Sequence, residues 1–276
     1  MPHDYTSLQN GIEKTYNCSM SSRKFNLVET IRGGGTVTGL GDSGWHLEIP
    51  PAKKGRYSLA QLDDYSSIVR SHFPWSAAVH VDLRARTSSR TIPGTWGFGL
   101  WNDPFGLAIL KGGGARKPAL PNAAWFFFAS DANYLSLRDD LPANGQLAAT
   151  FSSPKSFPPR LLLKLPLFLL VFLKPVARVL RGWLRDHVKQ DSVNFNQDTT
   201  EWHSYSIELG YDQVIFKVDG SVVLDGAVAP KGPLGLVMWV DNQYASWLED
   251  GQLSFGNLAS NIPAWIEIAD LDVSPA

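Results

Sequence analysis

The chain has 276 residues, 44% of them hydrophobic and 18% charged, with ten Trp and a net charge of −1. That composition excludes a disordered polymer and supplies ample material for one large core. A single cysteine, Cys18, excludes an internal disulfide framework, and the opening MPHDYTSLQNGIEKTYN lacks the charged and apolar regions of a secretory signal, so a cytoplasmic protein is expected.

A polar leader covers residues 1–25, after which strand candidates follow in quick succession. FNLVETI and GTVTGL flank the Gly33–Gly35 turn, and GWHLEIP ends at Pro50-Pro51. AAVHVDLRAR (77–86) alternates apolar and polar residues, the mark of a strand with one solvated face. TWGFGLW (95–101), AAWFFFAS (123–130) and NYLSLR (133–138) come next. WHSYSIEL (202–209), QVIFKVDG (213–220) and SVVLDG (221–226) form a meander, with Asp219-Gly220 as a hairpin turn. PLGLVMWVDNQY (233–244), QLSF (252–255) and AWIEIADLDV (264–273) complete the set. More than ten strands with so little helix between them predict one all-β sandwich or barrel over 26–276.

One segment interrupts the pattern. RLLLKLPLFLLVFLKPVARVLRGWLRDHVK (160–189) lies within an insertion at about 154–192. Eight basic residues and one acid, Asp186, fall in 155–189, leaving 17 basic and 25 acidic residues elsewhere, a net of −8. The apolar run Leu161–Leu173 is too short to span a bilayer. After Pro175, basic and apolar residues recur at three- and four-residue steps, which predicts an amphipathic helix. Such a helix lies in a membrane interface, or packs on the sandwich with its basic face in water. The first reading makes Leu167, Phe168, Phe172, Lys174, Arg178, Arg181, Trp183 and Arg185 membrane-facing, with an anionic membrane surface as partner and no nucleic acid.

The order VHVDLRAR, GTWGFGLW, a strand, EWHSYSIELGYDQVIFKVDG, PLGLVMWVDN and a terminal strand resembles the concanavalin A-like jelly roll. It is similar in particular to the family-16 glycoside hydrolases, the laminarinase and lichenase group, over about half the chain. The resemblance implies a jelly-roll sandwich whose catalysis would reside on a strand reading Glu-x-Asp-x-Glu. Retaining hydrolysis needs two carboxyls about 5–5.5 Å apart, and alternate residues of a strand supply them on one face. The corresponding strand here is AAWFFFAS, which has no carboxylate, so hydrolysis of the family type is not expected.

Under the same resemblance, Trp125 and Phe127, or Phe126 and Phe128 in the other register, project where sugar-cutting acids would sit. Trp96, Trp101, Trp239 and Tyr244 come from neighbouring segments, with Asn102, Asp103, Asp241 and Asn242 as polar orienting groups. An aromatic site with few polar groups suits a hydrophobic or amphiphilic small molecule, lipid or isoprenoid-like. A second reading is a cyclase, isomerase or hydrolase using one acid in such a cleft, with Asp103, Asp241 or His203 as candidates. A third is carbohydrate binding or cleavage.

Other motifs carry less. LKGGGARK (110–117) offers an anion nest with Arg116 and Lys117 beside it. No metal is expected: the six histidines lack ligand spacing, and the position where relatives hold calcium is Ala269, with Asp270 and Asp272 on the other face. No cofactor motif is present. Asp63-Asp64 and Arg138-Asp139-Asp140 read as turn or surface charges. Oligomeric state is not legible.

Overall fold

The computed structural model describes residues 15–18, 25–41, 44–104, 116, 118–154 and 173–276. Its strands are β1 (Thr15–Cys18), β2 (Phe25–Arg32), β3 (Thr36–Gly39), β4 (Gly44–Ile49), β5 (Leu59–Asp63), β6 (Val79–Thr87), β7 (Thr95–Trp101), β8 (Ala123–Ala129) and β9 (Gly145–Ser152). Helix α1 (Lys174–His187) precedes β10 (Lys189–Asn194), β11 (His203–Leu209), β12 (Val214–Val218), β13 (Ser221–Gly226), β14 (Gly235–Asp241), β15 (Gln243–Trp247), β16 (Leu253–Asn257) and β17 (Ala264–Pro275). Two antiparallel sheets form a sandwich, as the strand pattern predicts. The first runs β1-β2-β5-β14-β7-β8-β9-β10 and the second β13-β12-β11-β6-β17-β4-β3, while β15 and β16 pair as a separate hairpin.

Period-two alternation builds the core between the sheets. From the first sheet come Trp96, Phe98 and Leu100 of β7, Phe126 and Phe128 of β8, and Leu236, Met238 and Val240 of β14. Val79, Val81 and Leu83 of β6 and Tyr205 and Ile207 of β11 meet them from the second. Trp96 stacks on Phe128 with ring centroids 3.5 Å apart, and Phe126 meets Tyr205 and Phe216 edge-on at 5.0 and 5.2 Å. The β12–β13 turn forms where Asp219-Gly220 predicts it. Both residues take positive φ, 50° and 78°, the pair a two-residue hairpin of right-handed twist requires.

Several elements differ from expectation. LAQLD forms β5 in the middle of the first sheet, so Asp63 and Asp64 are buried rather than surface charges. GQLAATFS forms β9 despite its small residues, because β8 and β10 pair with it on both sides. KQDSVN forms β10, so the expected insertion gives way to sheet at residue 189. NYLSLR joins neither sheet; only an isolated bridge links Tyr134 to Ser246.

Helix α1 starts with Pro175 in its first turn, where the missing N–H is no loss. Residues 177, 181, 184 and 188 share one side of a 3.6-residue helix, and Ala177, Arg181 and Val188 are buried there. Arg181 was expected on the basic outer face; instead it is 2% exposed. Its Nη1 donates to Asp139 Oδ2 at 3.0 Å, Nη2 pairs with Asp139 Oδ1, and Nη2 also donates to the Ser136 carbonyl. A buried guanidinium is tolerable only with such partners, which makes Arg181 a docking residue. That hydrogen bond holds the Asp139 carboxyl below its ordinary range. Lys174 pairs with Asp250 at 3.2 Å, and Gly251 packs so closely on the helix that a Cβ would lie 2.2 Å from the Lys174 carbonyl. The helix is thus held to the sandwich, with Lys174, Arg178 and Arg185 outward. Leu167, Phe168 and Phe172 lie outside the described residues.

Candidate functional site

Strand register assembles the outer face of the first sheet into rows. One row runs Thr30, Gln61, Trp239, Gly97, Phe127, Leu147 and Asn194; the next runs Val28, Asp63, Val237, Gly99, Trp125, Ala149 and Ser192. The two β7 glycines decide the topography. A Cβ on Gly97 would sit 2.8 Å from the Trp239 ring, and one on Gly99 would sit 2.7 Å from Trp125 Cβ. Without side chains at those points, Trp239 and Trp125 lie across β7 from either side. Their centroids are 5.8 Å apart, Phe127 stands 5.1 Å from Trp125 and 5.2 Å from Trp239, and Trp101 lies 5.7 Å from Trp125. These are the separations at which aromatic pairs attract. Leu59, Tyr65, Phe73, Val237 and Trp239 are the buried members of this cluster, and Tyr57, Trp101, Trp125 and Phe127 are half-buried against them.

Polar groups sit at its margins. Trp239 Nε1 donates to Thr95 Oγ1 at 3.0 Å, and Thr95 Oγ1 donates to Asp241 Oδ1 at 2.8 Å. The same oxygen accepts from the backbone N–H groups of Thr95 and Gln243. Burial nevertheless outweighs these donors and raises the Asp241 carboxyl to about 7. On β5, Gln61 Nε2 donates to Asp63 Oδ2 at 2.7 Å, while Asp63 Oδ1 accepts from the N–H of Tyr65 and Ser66. Burial raises Asp63 as well. Both carboxyls are acceptors within the scaffold, four residue positions apart along paired strands.

No family model matches the sequence, and no curated protein is recognisably similar to it. Among solved structures, a β-glucanase of Bacillus licheniformis aligns with a TM-score of 0.50 at 8% identity, over 97% of this chain and 100% of that one. A glycoside hydrolase family protein of Mycobacterium thermorestibile aligns at 0.44 and 13% identity, covering 84% and 76% of the two chains. A pseudo beta-1,3-glucanase of Mycobacterium tuberculosis aligns at 0.44 and 10%, covering 86% and 76%. The first of these, with the sheet topology, fixes the fold. This chain has a concanavalin A-like jelly-roll fold.

In this jelly roll, β8 pairs with β7 beyond Gly94-Thr95-Trp96, the place where the resemblance puts the catalytic strand. Its outward residues are Ala123, Trp125, Phe127 and Ala129, and its inward ones Ala124, Phe126 and Phe128. Neither face bears a carboxylate. Trp101, Trp125, Phe127 and Trp239 lie together, and Asp241 stands at one end of their face.

The remaining candidates lie elsewhere. Trp96 belongs to the inter-sheet core, 3% exposed, because residues 96 and 101 are an odd number apart on one strand and must face opposite ways. Asn102 is buried and ties loop ends, donating to the Leu120 carbonyl and accepting from Asn122 N–H. Asn242 is buried too, accepting from Ser58 N–H and donating to the Arg56 and Leu258 carbonyls. Asp103, at φ 45°, is paired with Arg116 at 2.8 Å and is no free acid. Arg116 also caps the carbonyls of Tyr65, Ser66 and Ile68, so it is no part of an anion nest. Lys117 lies outside the described residues. Tyr244 stands on the β15–β16 hairpin, which pairs with neither large sheet, and its ring lies over Gly256. His203 is on the second sheet, where it clasps Asp219 at 2.6 Å and the Asp198 carbonyl at 3.0 Å. Gln61, Asp63, Tyr57 and Tyr65 were not foreseen on the outer face; the alternation within LAQLD was the available signal.

Proposed function

We propose that the outer face of the first sheet binds a hydrophobic or amphiphilic small molecule without cutting it. One observation carries the reading: the strand that would bear the paired acids instead presents Trp125 and Phe127, packed with Trp101 and Trp239 over two glycines. Rings fixed in this way offer a preformed apolar surface with polar groups only at its rim. Native mass spectrometry with organic extraction tests it. The purified chain is expected to carry an apolar molecule and to release no reducing sugar from laminarin. Reducing-sugar release from laminarin, lost in no face variant, would sink the reading.

The same proposal has the ligand taken from or presented to a membrane surface at the α1 edge. Val179 and Leu173 are 74% and 54% exposed there, beside the outward Lys174, Arg178 and Arg185. No helix among the described residues is long and apolar enough to cross a membrane, so contact would be peripheral. Flotation with phosphatidylglycerol liposomes is expected for the wild type and reduced in Leu173→Glu/Val179→Glu. Equal flotation of the two would exclude this edge as the contact.

A further inference from the structure

At the end of the aromatic face marked by Asp241 and Leu59, the chain runs back through PPAKKGRYS, residues 50–58. Here three cations occur within four positions with no acid, in a chain whose residues outside 155–189 are net acidic. Gly33, Pro51, Lys53, Arg56, Tyr57 and Ser58 line an open cavity of about 530 Å³. That is within the roughly 300–1,000 Å³ of small-molecule sites. Its wall is set by the turn after β2. Gly33, at φ 57°, approaches so closely that a Cβ would lie 2.0 Å from the Tyr57 carbonyl, and its own carbonyl accepts from Ser58 Oγ at 3.2 Å.

Two facts join this cavity to the face. Tyr57 lines the cavity and also packs on the cluster that contains Trp239. Arg32 pairs in register with Leu59, and its charge acts on the Tyr57 ring oxygen. Among the described residues, Arg32, Lys53 and Arg56 form no ion pair with a carboxylate. Asp241, the carboxyl that also acts on Tyr57, has its Oδ1 taken by Thr95 and Gln243. Arg32 makes one exposed hydrogen bond, to the neighbouring Ile31 carbonyl, whereas Arg116 and Arg70 on this sheet's loops are each buried or half-buried against several backbone carbonyls. Unpaired cations at the end of an apolar track are arranged as a charged terminus and a hydrocarbon would need them. From Thr95 to Trp101 the track is roughly 20 Å long at a strand's rise per residue.

We propose that the ligand is an amphiphile with an anionic head, its tail on Trp239, Phe127 and Trp125 and its head in the cavity beside Arg32, Lys53 and Arg56. This rests on the reading of the aromatic face given above. The test compares dodecyl phosphate, dodecanol and inorganic phosphate, each titrated below micelle formation into the wild type and into Arg32→Gln/Lys53→Gln/Arg56→Gln. In the wild type dodecyl phosphate is expected to bind at least about tenfold more tightly than dodecanol, the scale of one hydrogen bond to a charged group. In the variant that gap should close while dodecanol binding stays, which also shows that the variant is folded. Equal binding of both amphiphiles by the wild type would overturn the anionic head and leave the aromatic face standing. Inorganic phosphate binding as tightly as dodecyl phosphate would mark a plain anion site and overturn the amphiphile. Binding of none of the three would overturn the head and the face together.

Discussion

Phe126→Ala is expected to cost the fold about 3–5 kcal/mol, whereas Phe127→Ala, one residue along, should cost about 1 kcal/mol and abolish most ligand binding. The two rings lie on opposite faces of β8. Phe126 is fully buried between the sheets, in ring contact with Phe98, Phe195, Tyr205 and Phe216. Partners from four other segments cannot all close on the space its loss would leave, so a cavity remains and its cost adds to the lost burial. In a domain of this size the midpoint of thermal unfolding should fall by roughly 10 °C. Phe127 is half-buried on the outer face, where its ring meets Trp125 and Trp239. Its loss leaves a shallow dent open to solvent and removes one wall of the proposed track, with affinity for dodecanol expected to drop about tenfold. Thermal scans and titrations of the two variants decide this. A larger loss of stability from Phe127→Ala than from Phe126→Ala would invert the register and with it the site.

Asp241→Asn is expected to remove part of the pH dependence of stability. In the unfolded chain this carboxyl titrates near 3.8, and in the fold near 7, because burial disfavours its charge. Between those values the folded chain holds a proton that the unfolded chain has released. The contribution is therefore full below about pH 4 and is lost as the pH rises to about 7. For one fully buried group its size is on the order of 4 kcal/mol at most. Asn keeps an oxygen to accept from Thr95 and Gln243 and carries no charge at any pH. Asp63 and Asp64 are raised in the same direction and stay in place, Asp64 to about 7, so the slope should shrink without vanishing. Urea midpoints at pH 5 and pH 8 measure it. The wild type should lose more stability between them than the variant; an unchanged difference would mean that Asp241 is ionised in the fold throughout.

What the sequence revealed of the fold was what short-range pattern can encode. The strand VHVDLRAR and the Asp219-Gly220 hairpin depend on neighbours within a few residues, and both are where pattern puts them. AAWFFFA is legible as a strand but not as a face, since apolar residues occupy both sides and only the partner strands choose between them. Asp63 does cap the turn after β5, through the N–H groups of Tyr65 and Ser66. What pattern did not reveal is that it and Asp64 are buried, since the segments that enclose them are far away in sequence. Thr30 is 33 positions away, Trp75 eleven from Asp64, and Leu236 172 from it. Arg181 likewise meets Asp139 across 42 positions, and helical periodicity alone placed it on the outward, membrane-facing basic side. The inward placement of Trp96 is legible in the sequence, since its odd spacing from Trp101 requires opposite faces on one strand.

A ligand on the outer face of the first sheet can be located through the ten tryptophans. Indole N–H resonances followed by NMR during a dodecanol titration are the most direct measurement. Those of Trp101, Trp125 and Trp239 should shift together and saturate. Trp96, buried in the core, and Trp202 and Trp265, which meet Arg86 on the far sheet, should stay in place. Shifts centred on Trp202 and Trp265, or saturable binding with Trp125 and Trp239 unmoved, would contradict the account.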